Sequence, residues 1–254
     1  MTDHYALLAP IYERIGMANF AQSVTPRIFQ FAQSRLDWSG RRALDLGCGT
    51  GASARWLANH GVSVVAIDSS PDMLLQARGS IDTRGLSLTW REGDIRVIDT
   101  DLLTFDMVLA IDVINELGKL SEIEAVFAQA YRALEEDKLF VFDMMSLEAL
   151  IMKSGRGGIF YEDNDINIVL EQNFDYERLA LVKRMLIFSH TESWWRREEI
   201  VLTSRGYSVQ TVAALLKRVG FSVAALVNPA FEVFDPATSH TERVIFFARK
   251  QSGA

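Results

Sequence analysis

The sequence predicts an α/β fold: a doubly wound, mostly parallel sheet with helices on both faces. Three observations carry that expectation. Short apolar runs of strand length alternate with stretches of helical period from Arg42 to Asp143. Strands alternating with helices build a parallel sheet covered on both sides. The stretch Leu44-Asp45-Leu46-Gly47-Cys48-Gly49-Thr50-Gly51 joins the first run to the first helix through three alternate glycines. Such a turn brings backbone N–H groups close to a ligand, because glycine permits positive φ and leaves no Cβ in the way. The helix N-terminus adds a partial positive charge that suits a carboxylate or phosphate. Finally, acidic and glycine residues fall at successive strand ends, where an open parallel sheet binds its ligand.

Each element follows from local pattern. Residues 3–38 carry an amphipathic helical period, with Tyr5, Leu8 and Tyr12 on one face and Phe20, Val24, Ile28 and Phe31 on another. Pro26 falls inside the second pattern, as a first-turn residue or a kink. Residues 1–38 therefore read as a helical cover, either packed on the sheet edge or closing over a ligand with tyrosine hydroxyls. Arg42–Leu46 reads as a buried strand and Ala52–His60 as a helix with Ala54, Leu57 and Ala58 on one face. Val62–Ile67 is a second strand ending at Asp68; Ser70 caps a helix that starts at Pro71 and runs to about Arg78. Leu86–Trp90 is a third strand, followed by Gly93-Asp94-Ile95, and Phe105–Ile111 a fourth, followed by Asp112. Ser121–Leu134 is a helix that Ser121 caps, with Glu124 closing a capping box, and Asp137–Asp143 is a fifth strand. From Met144 to Gly206 the helical period fades into apolar runs joined by polar turns, which predicts a small antiparallel β insert over residues 144–206. Ser208–Arg218 is a helix with Gly220 at its C-cap, and Phe221–Val227 and Arg243–Ala248 are two last strands that pair as an edge hairpin.

Composition sets bounds. The chain has 254 residues, enough for one sizeable core, so one domain spanning 1–254 is expected. Its net charge of −7 argues against a nucleic-acid partner. The single cysteine, Cys48, excludes an internal disulfide and a thiolate zinc cluster. No histidine–carboxylate spacing suggests a metal site. The first residues lack the basic and apolar regions of a signal peptide, and no apolar run has the ~20 residues of a membrane span, so a cytoplasmic protein without a membrane partner is expected. Either a monomer or a homodimer is compatible with the sequence.

The strand ends describe an adenosine pocket. Asp68 stands where an acid accepts hydrogen bonds from both ribose hydroxyls. Asp94 can accept from an exocyclic amine, and Ile95 offers a backbone N–H to a ring nitrogen. Gly47, Gly49 and Ala52 also satisfy the looser G-x-G-x-x-G/A dinucleotide pattern. Asp45, two residues before the first glycine, separates the two readings. It can receive a ligand ammonium, which a dinucleotide does not offer there.

On these motifs the chain resembles the class I S-adenosylmethionine-dependent methyltransferases of small-molecule type, with an insert between strands five and six. The matching pieces are Leu44–Gly51, Asp68, Gly93-Asp94-Ile95, Phe105–Leu117 and the Leu215–Phe221 approach to the sixth strand, so the resemblance covers roughly residues 38–143 and 205–250. It implies a seven-stranded sheet in order 3-2-1-4-5-7-6 with strand seven antiparallel. It also implies S-adenosyl-L-methionine as cofactor. Carried over by position, Asp45, Gly47, Cys48, Gly49 and Gly51 would line its methionine part, Asp68 would hold the ribose, and Ser69 and Met73 would flank the adenine. Asp94 and Ile95 would read the adenine edge, and Ile111 and Asp112 would lie beside the sulfonium. Cys48 reads as filler rather than a nucleophile.

The resemblance also suggests that Tyr5 and Tyr12 close over cofactor or acceptor, and that the insert, with Trp194, Trp195 and Arg197, covers the acceptor. Methyl transfer to oxygen or nitrogen of a small acceptor is the expected reaction. His190, Asp112, Tyr207 and Glu116 are the candidate bases. Asp112-Val113-Ile114-Asn115 stands where nucleobase amine methyltransferases carry an Asn-Pro-Pro-Tyr-type sequence, which disfavours such substrates. The alternatives are an NAD(P)-dependent oxidoreductase and a non-catalytic S-adenosylmethionine-binding protein.

Overall fold

The computed structural model describes residues 5–79, 85–98, 104–190 and 193–251. The first residues of the expected cover, 1–4, and Thr191 and Glu192 beside the tryptophan pair lie outside them. Five strands come from the alternating half: β1 (Arg42–Leu46), β2 (Ser63–Asp68), β3 (Leu88–Glu92), β4 (Phe105–Ala110) and β5 (Leu134–Met145). Each is an apolar run, and β4 is buried along its whole length because it lies in the middle of the sheet. With β10 (Phe221–Val227) and β11 (Arg243–Lys250) they form one sheet in spatial order β3-β2-β1-β4-β5-β11-β10. β11 runs antiparallel to both its neighbours, and the other pairings are parallel. Counting β10 and β11 as the sixth and seventh strands, this is the expected order 3-2-1-4-5-7-6.

Helices cover both faces. On one, α4 (Leu120–Ala133) and α6 (Val209–Val219) bury Ile123, Phe127, Val212 and Leu216 against Phe140, Phe142 and Phe246. Phe142 and Phe246 stack across the β5–β11 pair with ring centroids 4.6 Å apart. On the other, α1 (Asn19–Arg35) and α2 (Ala52–Asn59) bury Val24, Ile28, Ala54 and Leu57. The helix α3 (Pro71–Gly79) starts where Ser70 Oγ accepts the Met73 N–H at 3.3 Å, and α6 starts at Ser208 and ends on Gly220 at φ +113°. α4 departs from expectation. It begins at Leu120 with Lys119 at the N-cap, so Ser121 lies inside the first turn and no side chain caps the helix, while Glu124 pairs with Arg218 at 2.6 Å. Glu122 instead accepts the Gly118 N–H at 2.7 Å.

The insert is a second, four-stranded antiparallel sheet: β6 (Gly157–Glu162), β7 (Ile166–Asp175), β8 (Ala180–His190) and β9 (Trp195–Arg205). A short helix that the sequence reading did not foresee, α5 (Leu147–Met152), precedes it and is capped by Ser146 Oγ, which accepts the Ala149 N–H at 3.1 Å. The N-terminal segment corrects the idea of one helical cover on the sheet edge. Only Asn19–Arg35 is α-helix; Pro26 sits in its interior, where it has no N–H to give to the Gln22 carbonyl. Residues 5–17 form turns around a 3-10 turn at Ala9–Ile11 and pack Leu8 and Ile15 onto the apolar face of the insert, against Ile168, Met185 and Ile200. The segment therefore bridges the two sheets.

Candidate active site

β1 carries Asp45 to the C-terminal end of the sheet, and the chain then turns through Gly47, Gly49 and Gly51 at φ +69°, +54° and +84°. Gly51 is fixed twice over, since a Cβ there would stand 2.2 Å from the Trp90 ring. Gly51→Ala is expected to lose at least ~2 kcal/mol by thermal unfolding, from the left-handed backbone and the displaced ring together. Gly49 is different: a Cβ would meet nothing within 4 Å, so the turn opens onto free space there.

Asp45 is the most unusual group at this turn. It is 2 % exposed, and its Oδ2 has no hydrogen-bond partner among the described residues. A buried carboxylate oxygen without a donor is costly. Burial, helped by the nearby Asp68 charge, pushes the carboxyl up to about 7. A ligand ammonium supplies the missing donor and the missing charge. Asp68, at the end of β2, is held in the mouth of the turn, accepting the Gly49 N–H at 2.7 Å and the Ser70 N–H at 2.9 Å. The residues present thus fit a ligand with an ammonium at Asp45 and a polar body along the open face of Gly49.

The N-terminal segment is tied down on both sides of this turn. Glu13 accepts from Thr50 Oγ1 at 2.8 Å and from Arg55 at 2.5 Å, while Arg14 pairs with Asp163 at 2.6 Å and Asp165 at 3.1 Å in the insert. Between these anchors Tyr5 and Tyr12 meet edge to face, 6.4 Å apart. Burial pushes both hydroxyls up, and the charges of Glu116 and Asp68 bear on both.

The loop after β4 forms the opposite wall. Asp112 sits at φ +60°, its N–H donates to Asp143 Oδ1 at 2.8 Å, and Arg243 of β11 pairs with both Asp112 and Asp143. Asn115 then stitches the loop to the ends of β5 and β9, accepting the Met145 N–H at 2.7 Å and donating to the Arg205 carbonyl at 2.8 Å. Tyr207 donates its hydroxyl to the Leu117 carbonyl. Glu116 lies between those two anchors and accepts a hydrogen bond from Tyr5. It is water-accessible, yet burial pushes its carboxyl up.

β8 carries a further charge, Lys183. Inward parity on that strand runs Leu181, Lys183, Met185, Ile187, so one lysine interrupts an apolar row. Burial draws its ammonium down, while the charges of Glu116 and Asp112 oppose that.

The structure sorts the sequence candidates. Tyr5, Tyr12, Asp68, Asp112 and Glu116 come together. Tyr207 does not join them: it is a core tyrosine whose hydroxyl is spent on a loop carbonyl and pushed up to about 12, first by burial. His190 sits at the exposed end of β8 against Trp195, seven residues from Lys183, or roughly 23 Å along an extended strand. Trp194 and Trp195, 60 % and 49 % exposed, share that hairpin end, and Arg197 turns to Glu199 at 3.1 Å on the solvent face. These four therefore sit together at the exposed hairpin end of the insert. Asp112 is ion-paired, which removes it as a free base. Asp94 takes bidentate hydrogen bonds from Arg96, which hold its carboxyl below the usual range. Ile95 is half-buried, Ile111 and Met73 are buried, and Ser69 is exposed beside the capping Ser70. Burial pushes the Cys48 thiol up, away from the thiolate a nucleophile needs. Sequence reasoning missed Lys183, Arg243 and Glu13. Only Lys183 left a local signal, a charge at inward parity.

Residues 43–137 match the methyltransferase domain family. A protein of Geobacillus sp. (strain WCH70) named as a methyltransferase is 27% identical over 233 residues, 87% of this chain and 90% of that one. The ubiquinone biosynthesis O-methyltransferase of Methylocella silvestris is 40% identical over 78 residues, 31% of this chain and 30% of its own length. Among solved structures, an S-adenosylmethionine-dependent methyltransferase from Clostridium acetobutylicum superposes with a TM-score of 0.83 at 20% identity, covering 98% of this chain and 99% of its own. An amino pentose methyltransferase from Micromonospora echinaspora superposes with a TM-score of 0.69 at 23% identity over 92% and 91% of the two chains. With its strand order, its glycine turn and its orphaned aspartate, this chain has the fold of the S-adenosylmethionine-dependent methyltransferase from Clostridium acetobutylicum, and residues 43–137 of it match a methyltransferase domain. Among the described residues no helix is long and apolar enough to cross a membrane.

Proposed function

We propose that the enzyme methylates a nitrogen or oxygen of a small-molecule acceptor bound between the C-terminal edge of the main sheet and the insert, with Glu116 as the base. The observation that carries this reading is the position of Glu116: water-accessible, hydrogen-bonded by Tyr5, and pinned through Asn115 on one side and Leu117 on the other. When bound, S-adenosylmethionine supplies a methyl carbon whose bond to the sulfonium breaks with its electron pair going to sulfur. Asp45 would hold the ligand ammonium on its unpartnered oxygen, and Asp68, at the mouth of the turn, would hold the ribose. Tyr5 and Tyr12, on their tied-down segment, exclude water and align the acceptor, and alignment supplies much of the rate enhancement. Glu116 takes the acceptor's proton as its lone pair forms the new bond to carbon; a carboxyl raised by burial suits that role. The relatives named for ubiquinone biosynthesis and for an amino pentose give support, since both names denote small acceptors.

The test has two parts. Excess S-adenosylhomocysteine is expected to raise the unfolding temperature, through a stabilisation of about 2.7 kcal/mol at ~100 times its dissociation constant, where NAD and NADP do not. With methyl-labelled cofactor and a small-metabolite fraction, label is expected in low-mass products, at a rate that Glu116→Gln lowers by roughly 10²-fold or more while keeping the S-adenosylhomocysteine shift. Label appearing in protein or nucleic acid, and not in small molecules, would refute the acceptor class.

A further inference from the structure

The insert leaves one of its two edges open. β6 ends the order β6-β7-β8-β9, so among the described residues its outer side has no strand partner. Sheet edges are ordinarily blunted by charge or proline, because their free N–H and C=O groups can pair with any other strand. β9, the opposite edge, is blunted: Arg196, Arg197, Glu198 and Glu199 follow one another along it. β6 carries no charge and no proline from Gly157 to Tyr161. Its Ile159 is 65 % exposed and its Phe160 42 %. Ile168 of β7 and Ile187 of β8 turn inward against Leu8 and Ile15, so their neighbours Val169 and Leu186 turn to the outer face. Ile159 lies opposite Val169, and Val169 opposite Leu186. One apolar row therefore crosses the outer face and runs off the β6 edge. The pairing of β6 with β7 slips between Ile159 and Tyr161, which leaves Phe160 with no residue opposite it.

We infer that a second copy of this chain completes the edge, β6 pairing antiparallel with β6 of the copy about a two-fold axis at Ile159. Such a contact must be complementary to itself, and the stretch from Arg156 to Glu162 is. Ile159 meets its own counterpart on the axis, and the row Leu186-Val169-Ile159 continues into the same row of the copy. The antiparallel direction brings the Arg156 end of each strand to the Glu162 end of the other, which makes two contacts between exposed, opposite charges. A parallel pairing would set Arg156 against Arg156 and Glu162 against Glu162. The antiparallel one also brings each Phe160 to the glycine pair of the other copy. Space is open there, since a Cβ on Gly158 would meet nothing within 4 Å. An aromatic ring across from an edge glycine covers its bare backbone. The two four-stranded inserts join into one continuous sheet with a charged β9 at each end. A strand edge and a single apolar row make a small interface, so the dimer is weak and depends on concentration.

Sedimentation velocity on the full chain, between roughly 5 and 500 µM, is expected to show a monomer–dimer equilibrium. Ile159→Lys sets two ammonium groups against each other on the axis and is expected to weaken the dimer at least ~10-fold. Arg156→Glu and Glu162→Arg each oppose like charges and are expected to weaken it ~5-fold. An equimolar mixture of these last two variants is expected to return to within about twofold of the parental dissociation constant, because both charge contacts in the mixed dimer join opposite signs. All three positions are exposed. Dilute samples of each variant are therefore expected to unfold at the parental temperature, which separates a lost contact from a lost fold. A parent that stays monomeric at the highest concentration overturns the pairing, and would leave the edge to a strand of a different protein. A dimer indifferent to Ile159→Lys, or a mixture no tighter than its components, overturns it as well.

Discussion

Asp45→Asn is expected to unfold at a higher temperature than the parent above pH 7 and to bind S-adenosylhomocysteine at least ~10-fold more weakly, which is ~1.4 kcal/mol. Both effects come from one orphaned oxygen. In the folded protein burial pushes the Asp45 carboxyl up to about 7, against about 3.9 in an unfolded chain. Between those values the folded state holds a proton that the unfolded state has released, so this group's contribution to stability falls as pH rises through the window. Asparagine keeps the shape, still accepts the Ala54 N–H that Asp45 accepts, and carries no charge to bury. Its advantage is therefore absent near pH 4 and complete above pH 7, where it amounts to a few kcal/mol. The ligand reverses the ranking, because its ammonium pairs with the ionised carboxylate. Parental affinity is expected to rise with pH up to about 7, while that of the variant stays flat. Unfolding curves at pH 5 and pH 8, with and without S-adenosylhomocysteine, separate the two effects. Equal affinity in the two proteins would show that Asp45 does not hold the ammonium.

What the sequence made legible was local. The run from Leu44 to Gly51 places strand, turn and helix within eight residues, and no distant contact is needed to read it. The alternation around it gave a parallel sheet, and the strand order followed from the family resemblance that the motif carries. The capping box at Ser121 failed because the helix begins a residue earlier, at Leu120, and Glu124 meets a partner, Arg218, 94 residues away. The candidate base failed for a similar reason. Tyr207 and His190 have the right chemistry, but the fold uses the first to anchor Leu117 and leaves the second at an exposed strand end. Glu116, one of two acids in its loop by sequence, is distinguished by the hydroxyl that reaches it from a tyrosine 111 residues earlier. Arg243 carries no local signal at all, since its partners lie 131 and 100 residues before it.

That arginine carries the second large effect. Arg243→Met is expected to lose about 3–5 kcal/mol of stability at pH 8, the usual cost of leaving one side of a buried ion pair behind. Asp143 is 1 % exposed at its side chain and takes the guanidinium on one oxygen and the Asp112 N–H on the other. Without Arg243 the Asp143 carboxylate is buried beside Asp112 with no cation. Burial already pushes this carboxyl up, and losing the guanidinium pushes it further. The deficit is therefore expected to shrink as pH falls and Asp143 takes a proton, a group raised in the folded state being favoured on the acid side. The double variant Arg243→Met, Asp143→Asn should recover much of the loss, because it replaces the pair where the single variant breaks it. Function should follow. The Asp143 carboxylate also holds the backbone of Asp112, and the next residue, Val113, packs against Gly47 so closely that a Cβ on Gly47 would meet it at 2.6 Å. Loosening Asp112 thus loosens the wall behind the glycine turn, and the single variant is expected to lose affinity for S-adenosylhomocysteine as well as stability. If the double variant regains stability but not affinity, the ion triad serves the site. If it regains both, its role is confined to the fold.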